Sequence, residues 1–134
     1  MSLAMLKSIA TTVLLVLALV QALGMAQVRG YVSLLPVEKR RLRRIHSRGG
    51  IAALVLSVAV ALACVFGVGY APCSLRVWLH VIMGVLAILI LFLKMALTRR
   101  FRRYLRFNTA LGVAVGLLLL GTFVTSALWY FLFE

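Results

Sequence analysis

Histidine, a residue type suited to binding a metal near neutral pH, occurs only twice in the chain, as His46 and His80. His80 lies near the start of LRVWLHVIMGVLAILILFLK, a stretch that is otherwise almost entirely apolar. A polar ring inside such a stretch is costly unless a partner satisfies it. The position of His80 therefore indicates either a functional site or a buried hydrogen bond.

Two neighbours of His80 favour a flat macrocyclic ligand. Arg76 and Gly84 lie four residues before and after it, so all three share one helix face. An arginine one turn above the ligand suits a haem propionate, and a glycine one turn below leaves room for the ring. The spacing predicts a tetrapyrrole site in which His80 binds the metal, a haem iron or the magnesium of a chlorophyll-type pigment.

A simpler interpretation needs no cofactor. His80 could donate or accept a hydrogen bond across the bundle, to a serine, a threonine or a backbone carbonyl. Cys64 and the pair Thr125–Ser126 are predicted at a similar depth, and any of them could complete or cap the site. Both interpretations stay open at the level of sequence.

The elements that carry these residues follow from composition. The chain of 134 residues is 65% hydrophobic and 13% charged, with a mean hydropathy of +1.15. Four apolar runs are each long enough to cross a bilayer, at about 3–26, 51–69, 75–97 and 107–133. They predict a single all-α domain, an integral membrane up-down four-helix bundle. Pro36 and the Gly49–Gly50 pair predict breaks around a short interfacial helix that precedes the second span.

Charge predicts the orientation of the bundle. Of fifteen Lys and Arg, seven lie in residues 29–48 and six in residues 94–106. Two basic clusters between apolar spans follow the positive-inside rule, so we expect cytoplasmic basic loops and both termini outside. An outer aromatic belt then forms from Trp78, Trp129, Tyr70 and Tyr130. The net charge of +13 is explained by topology and by anionic lipids at the basic loops, without nucleic acid. The predicted location is the inner, cytoplasmic membrane of a bacterium, as a multi-pass protein.

The two histidines are predicted to lie at different depths in the membrane. His46 precedes the second span at the cytoplasmic side, whereas His80 lies near the outer side, roughly 30 Å away. One haem iron therefore cannot bind both. His46 is interpreted as an interfacial polar residue, with a contact to a cytoplasmic-side haem or a quinone headgroup as the alternative. Lys94 lies close enough to the cytoplasmic end to extend its ammonium group towards the interface.

Other chemistry has less support in the sequence. Cys64 and Cys73 either form a disulfide that clips the outer turn to the second span or stay separate, and they make no metal-site pattern. The spans contain no acidic residue, since Glu38 lies in a loop and Glu134 is last, which argues against a proton-coupled transporter. No nucleophile–base pair or phosphate loop is visible, so independent catalysis is not expected.

The chain resembles a known class of protein in the order of its segments. That order is RIHSRGG, an apolar helix, a short turn, RVWLHVIMG, LFLK, a basic loop and a last helix ending TSALWYF. It is similar to the small bacterial four-helix b-type cytochromes, within the broad cytochrome b561 and ferric-reductase-like class, over residues 45–131. The resemblance implies haem b bound by His80, with His46 contributing to a site on the other side. The class usually has a second membrane histidine opposite His80, where this chain reads AVALACVFG.

These observations predict a membrane-embedded b-type-cytochrome-like subunit for electron transfer within a larger complex of membrane subunits. The chain would bind haem with one ligand of its own, share a haem with another subunit, or bind none. The alternative is a cofactor-free structural or assembly subunit, and a third possibility is a chlorophyll-binding accessory chain.

Overall fold

Four long helices make up the structure, a computed structural model that describes residues 2–67 and 74–133. They are α1 (Leu3–Val28), α2 (Lys39–Gly67), α3 (Leu75–Arg99) and α4 (Asn108–Phe133). Each is long and apolar enough to cross a membrane, and the described residues include no strand. The all-α prediction is confirmed, and the predicted spans agree with α1, α3 and α4 to within two residues at each end.

Neighbouring helices run antiparallel. Gly67 at the end of α2 lies against the side chain of Leu3 at the start of α1, while Gln21 near the end of α1 lies against Gly49 of α2. Arg76 at the start of α3 contacts Thr125 near the end of α4. The basic residues of 29–48 and 99–106 therefore gather at one end of the bundle, the basic end. Trp78 and Trp129 lie at the other, the aromatic end.

The helices form a four-sided arrangement. The most extensive contacts join α1 to α2 and α3 to α4, with further contacts between α1 and α4 and fewer between α2 and α3. The buried apolar cluster is small: it consists of Leu54, Ala87, Leu91, Val115 and Leu119. Many large apolar side chains instead face outwards; Leu19, for example, is 56% exposed. An apolar exterior around a narrow core is what lipid-facing helices require.

α2 begins twelve residues earlier than the apolar run suggests. It is continuous from Lys39 through Gly49 and Gly50, so the predicted break at the glycine pair is absent. A glycine costs up to about 1 kcal/mol inside a helix but does not forbid one. Gly49 also has a packing role, because any β-carbon there would collide with the side chain of Gln21.

Short connections at the basic end hold the helices in register. The Gln27 side chain donates to the carbonyl of Leu35 at 2.5 Å and accepts from the Leu35 amide at 3.0 Å, which fixes the loop containing Pro36. Gly30 adopts a left-handed conformation, with φ of +82°, where the chain leaves α1. Between α3 and α4, Arg102–Phe107 forms a tight 3₁₀ turn with a kink at Tyr104.

Candidate functional site

His80, which lies in α3 near the aromatic end, faces α4. Ser74 caps α3 by accepting a hydrogen bond from the Val77 amide at 3.3 Å, and this fixes where the helix starts. The ring then reaches across to α4, where Nδ1 of His80 lies 3.2 Å from Oγ1 of Thr125. Of the groups that the sequence placed at this depth, Thr125 is the one that contacts His80.

The hydrogen bonds of Thr125 assign the tautomer of His80. The threonine hydroxyl carries one proton, and it points at the Gly121 carbonyl at 2.9 Å, with the Thr122 carbonyl at 3.2 Å. Its oxygen is then left to accept, so Nδ1 of His80 is the protonated nitrogen. In this tautomer the lone pair of the ring is on Nε2, and the backbone of Thr122 also lies within hydrogen-bonding reach of the ring. Ligating histidines are commonly held in this way, by an Nδ1–H bond to a neighbouring acceptor.

Arg76 contacts the same part of α4. Its Nη1 donates to the backbone carbonyl of Thr125 at 2.9 Å, and its guanidinium group lies 5.0 Å from the centre of the Trp129 ring. Thr125 belongs to a π-helical turn, Val124–Leu128, which interrupts the regular hydrogen bonding of α4. Such turns occur often at functional sites. In this chain, the turn aligns the threonine hydroxyl with His80 and the backbone carbonyl with Arg76.

Gly84 completes the face, as the four-residue spacing predicts. A β-carbon on Gly84 would lie 3.9 Å from the methyl group of Thr122, an ordinary packing distance. The face formed by Arg76, His80 and Gly84 therefore packs directly against α4. The space below His80 that the sequence reserved for a macrocycle is therefore occupied by α4.

In the face formed by Arg76, His80 and Gly84, only His80 has a side chain that could bind a metal. Within residues 2–67 and 74–133, no three His, Cys, Asp or Glu side chains come close enough to share a metal ion. His80 would hold such a metal as a single protein ligand, with Thr125 fixing the orientation of the ring. The predicted disulfide and the position of Tyr70 involve residues 68–73, which lie outside the described residues.

The second histidine occupies a different site, at the basic end. The ring of His46 lies near the backbone of Gln21 and near Lys94, and Nδ1 of His46 is buried. The two histidines therefore lie at opposite ends of the bundle, as their positions along the predicted spans indicated. Nζ of Lys94 reaches across to α4, where it lies 3.3 Å from the position that a β-carbon on Gly112 would occupy.

Sequence reasoning missed Gln21, which belongs to this second site, and Asn108, whose buried Oδ1 has no hydrogen-bond partner among the described residues. Gln21 precedes the end of α1 by seven residues, and Asn108 is the first residue of α4. Counting residues inwards from the basic end of each helix would have found them. That count places Gln21 at the depth of His46, each seven residues from the basic end of its helix, and Asn108 at the end of α4. A buried amide at either position needs a partner.

The fold and these two polar sites define a class of protein, an all-helical chain with four helices able to span a membrane. Residues 1–133 match DUF6529, described as a family of unknown function, and the chain belongs to that family. No curated protein and no solved structure matches it significantly.

Proposed function

We propose that the chain is a membrane-embedded, b-type-cytochrome-like subunit that takes part in electron transfer within a larger complex. The observation that carries the proposal is the 3.2 Å contact between Nδ1 of His80 and the hydroxyl of Thr125. With Nδ1 as the donor, Nε2 keeps the lone pair that a metal would need. The resemblance over residues 45–131 supports haem b as the group. Haem, when bound, would supply a one-electron carrier at this position.

In this proposal the residues of the chain hold and orient the ligand. Thr125 fixes the ring plane of His80, and Arg76 anchors the π-helical turn that presents Thr125. Arg76 also places a positive charge beside the site, which suits an anionic substituent such as a propionate. A second axial ligand would come from another membrane subunit, or the iron would stay five-coordinate.

The proposed orientation follows from charge. The basic end would face the cytoplasm, with both termini on the outer side of a bacterial inner membrane. His80 would then lie near the outer surface. A haem there would exchange electrons with partners at that face, while a quinone or a second haem near His46 stays a prediction.

Absorption spectroscopy tests the proposal. The chain is purified from membranes in mild detergent, alone and with any proteins that co-purify, and reduced-minus-oxidised spectra are recorded. We expect a b-type α-band that His80→Gln abolishes and His46→Gln leaves in place, because the two rings lie at opposite ends. Lack of the band in both wild-type preparations would refute a haem function.

A second candidate is a cofactor-free structural or assembly subunit. The contacts that favour it are the hydrogen bonds from Arg76 and His80 to Thr125, which join α3 to α4 without any ligand. In that case the partner complex would assemble and retain full activity with His80→Gln. Extraction of the same preparation into organic solvent would reveal a chlorophyll-type pigment, the remaining possibility.

A further inference from the structure

The first part of α2 continues the second span beyond its apolar run. α2 begins at Lys39, whereas the apolar run begins only at residue 51, and one continuous helix joins the two. The basic residues of this part therefore do not lie in a separate helix along the membrane surface. We call residues 39–48 the basic extension of α2; its cations are Lys39, Arg40, Arg41, Arg43, Arg44 and Arg48.

Packing decides which side of the basic extension is free. Leu42 is only 5% exposed, and Gly49, just beyond the extension, lies against Gln21 of α1. The six cations of the extension are all exposed. One side of the extension thus packs against the rest of the bundle, and the cations cover the other sides.

This distribution of charge is unfavourable within the chain alone. Lys39 and Arg43 are four residues apart, so two like charges are neighbours on the helix surface. Cations in the first turn also oppose the helix dipole, and α2 has no acidic residue there. Glu38 is the single acidic residue among residues 29–48, against seven basic ones. Acidic groups from outside the chain would relieve both effects.

The length of α2 places its first turn beyond the lipid headgroups. The hydrocarbon of a bilayer is about 30 Å thick, which a helix crosses in about 20 residues. Counted from Gly67, at the aromatic end, that length ends near Ser47. Lys39 lies about 12 Å further along the helix, whereas the headgroup layer is roughly 5–7 Å thick. The same count from Leu75 leaves Arg99, at the end of α3, about 6 Å beyond the hydrocarbon.

An open pocket adjoins this first turn. Its volume is about 500 Å³, and Lys39 itself is one of the residues that line it. Aliphatic side chains of the loop between α1 and α2 line it as well, namely Val32, Leu35, Pro36 and Val37. Cation and aliphatic surface therefore belong to one pocket, which we call the loop pocket.

Hydrogen bonds hold the loop in the shape that forms the loop pocket. The side chain of Gln27 bonds both backbone groups of Leu35, and both residues line the pocket. Gly30, which also lines it, turns the chain with its left-handed conformation. Because the loop is already ordered, a ligand loses little affinity to ordering it.

A ligand that complements this surface is both acidic and apolar. Glu38 also lines the loop pocket and would repel a carboxylate inside it, so the pocket suits an aliphatic side chain. Carboxylates fit outside the pocket, along the cations of the basic extension. Leu34 and Leu35, which are 65% and 56% exposed, add apolar surface beside it. Exposed apolar groups bordered by charge are typical of surfaces that bind other proteins.

We propose that the basic extension and the loop pocket together dock an acidic peptide segment of a partner protein. Carboxylates of that segment pair with Lys39 and Arg43, and one of its aliphatic side chains enters the loop pocket. A bilayer of anionic lipids has the same charge, but its headgroups lie below the first turn of α2. The inference rests on the part of the proposed function that places the chain in a larger complex, and it holds whether or not haem is bound.

Peptide binding to the full-length chain in nanodiscs tests this proposal. The nanodiscs contain only phosphatidylcholine, so that no anionic lipid competes, and the probe is a fluorescent peptide in which glutamates flank a single leucine. We expect this peptide to bind about tenfold more tightly than the same peptide with glutamine in place of glutamate. Serine in place of the leucine should also weaken binding, because the loop pocket then receives no aliphatic group.

Two double variants test the position of the charges. Lys39→Gln with Arg43→Gln should weaken binding of the acidic peptide about fivefold, the effect expected for two exposed ion pairs. Arg99→Gln with Arg102→Gln removes two exposed charges from the same end of the bundle and should leave the affinity unchanged.

A second pair of variants tests the loop pocket without changing charge. Ser33→Trp fills the pocket, whereas Ser47→Trp adds the same ring to an exposed position of α2 outside it. We expect only Ser33→Trp to weaken peptide binding. Helical content and monodispersity are measured for every variant, and the pocket pair decides the question if a double variant does not fold.

Two outcomes would overturn the proposal. If both double variants weaken binding equally, the peptide is attracted by net charge and no defined surface exists. If nanodiscs that contain phosphatidylglycerol bind no peptide, anionic lipid covers the basic extension and the membrane is its occupant. Neither outcome affects the haem spectrum, and loss of the haem band leaves peptide binding unchanged, so the two proposals fail separately.

Discussion

At the scale of single residues, His80 and Thr125 show how a polar ring is accommodated in an apolar helix. The ring is satisfied on one side by a hydroxyl that itself donates to its own backbone. This arrangement orients the imidazole and leaves one nitrogen for a ligand. A hydrogen bond of this kind between membrane helices contributes about 1 kcal/mol, enough to hold a rotamer but too little to dominate folding.

The first prediction concerns the hydroxyl of Thr125. Thr125→Val keeps the shape of the side chain and removes the acceptor for His80, so we expect the free energy of unfolding to fall by about 1 kcal/mol. Unfolding in mixed detergent micelles measures it. Thr98→Val is the control, because that exposed hydroxyl bonds only the Lys94 carbonyl of its own helix. Equal losses in both variants would contradict a specific bond between α3 and α4.

At the scale of elements, the continuity of α2 is the main departure from expectation. The glycine pair predicts a hinge, yet the helix passes through it and carries His46 into the bundle end. The two glycines have different surroundings. Gly49 lies against the Gln21 side chain, whereas nothing lies within 4 Å of where a β-carbon on Gly50 would stand.

A matched pair of substitutions tests that continuity. Gly50→Ala should stabilise the protein by up to about 1 kcal/mol, because alanine favours a continuous helix and meets no neighbour. Gly49→Ala should gain less, or lose stability, because Gln21 has to move. Thermal unfolding of both variants in detergent measures the difference. A hinge at the pair would instead make both alanines destabilising.

At the scale of the whole molecule, polar chemistry is divided between two ends of an apolar bundle. The aromatic end holds His80 and the π-helical turn of α4, and the basic end holds Gln21, His46 and Lys94. The segment between them is filled by small and aliphatic side chains such as Ala87 and Leu91. Because the two polar sites are separated by this apolar segment, substitutions at one end should leave the contacts at the other intact.

Orientation of the bundle provides a prediction at this scale. In a chain lacking Cys64 and Cys73, new cysteines replace Ser2, Ser33 or Phe101 one at a time. A membrane-impermeant maleimide should label the Ser2 variant in intact spheroplasts, and the other two only after the membrane is opened. Labelling of all three in intact spheroplasts, or the reverse pattern, would refute cytoplasmic basic loops.

Hydrophobic run lengths were sufficient to predict the number of long helices and most of their ends. They could do so because the length of an apolar span is a local property of the sequence. Spacing on α3 likewise placed Arg76, His80 and Gly84 on one face. The two histidines were correctly assigned to opposite ends, since depth depends only on residue count.

Only the tertiary structure decided what each polar group contacts. Thr125, in a π-helical turn of α4, meets His80 across the α3–α4 interface. Lys94 turns inwards because Gly112 of another helix leaves space for it, and Gln21 does so beside Gly49. Such choices depend on how helices distant in sequence pack together, and residue spacing within one helix contains no information about its neighbour.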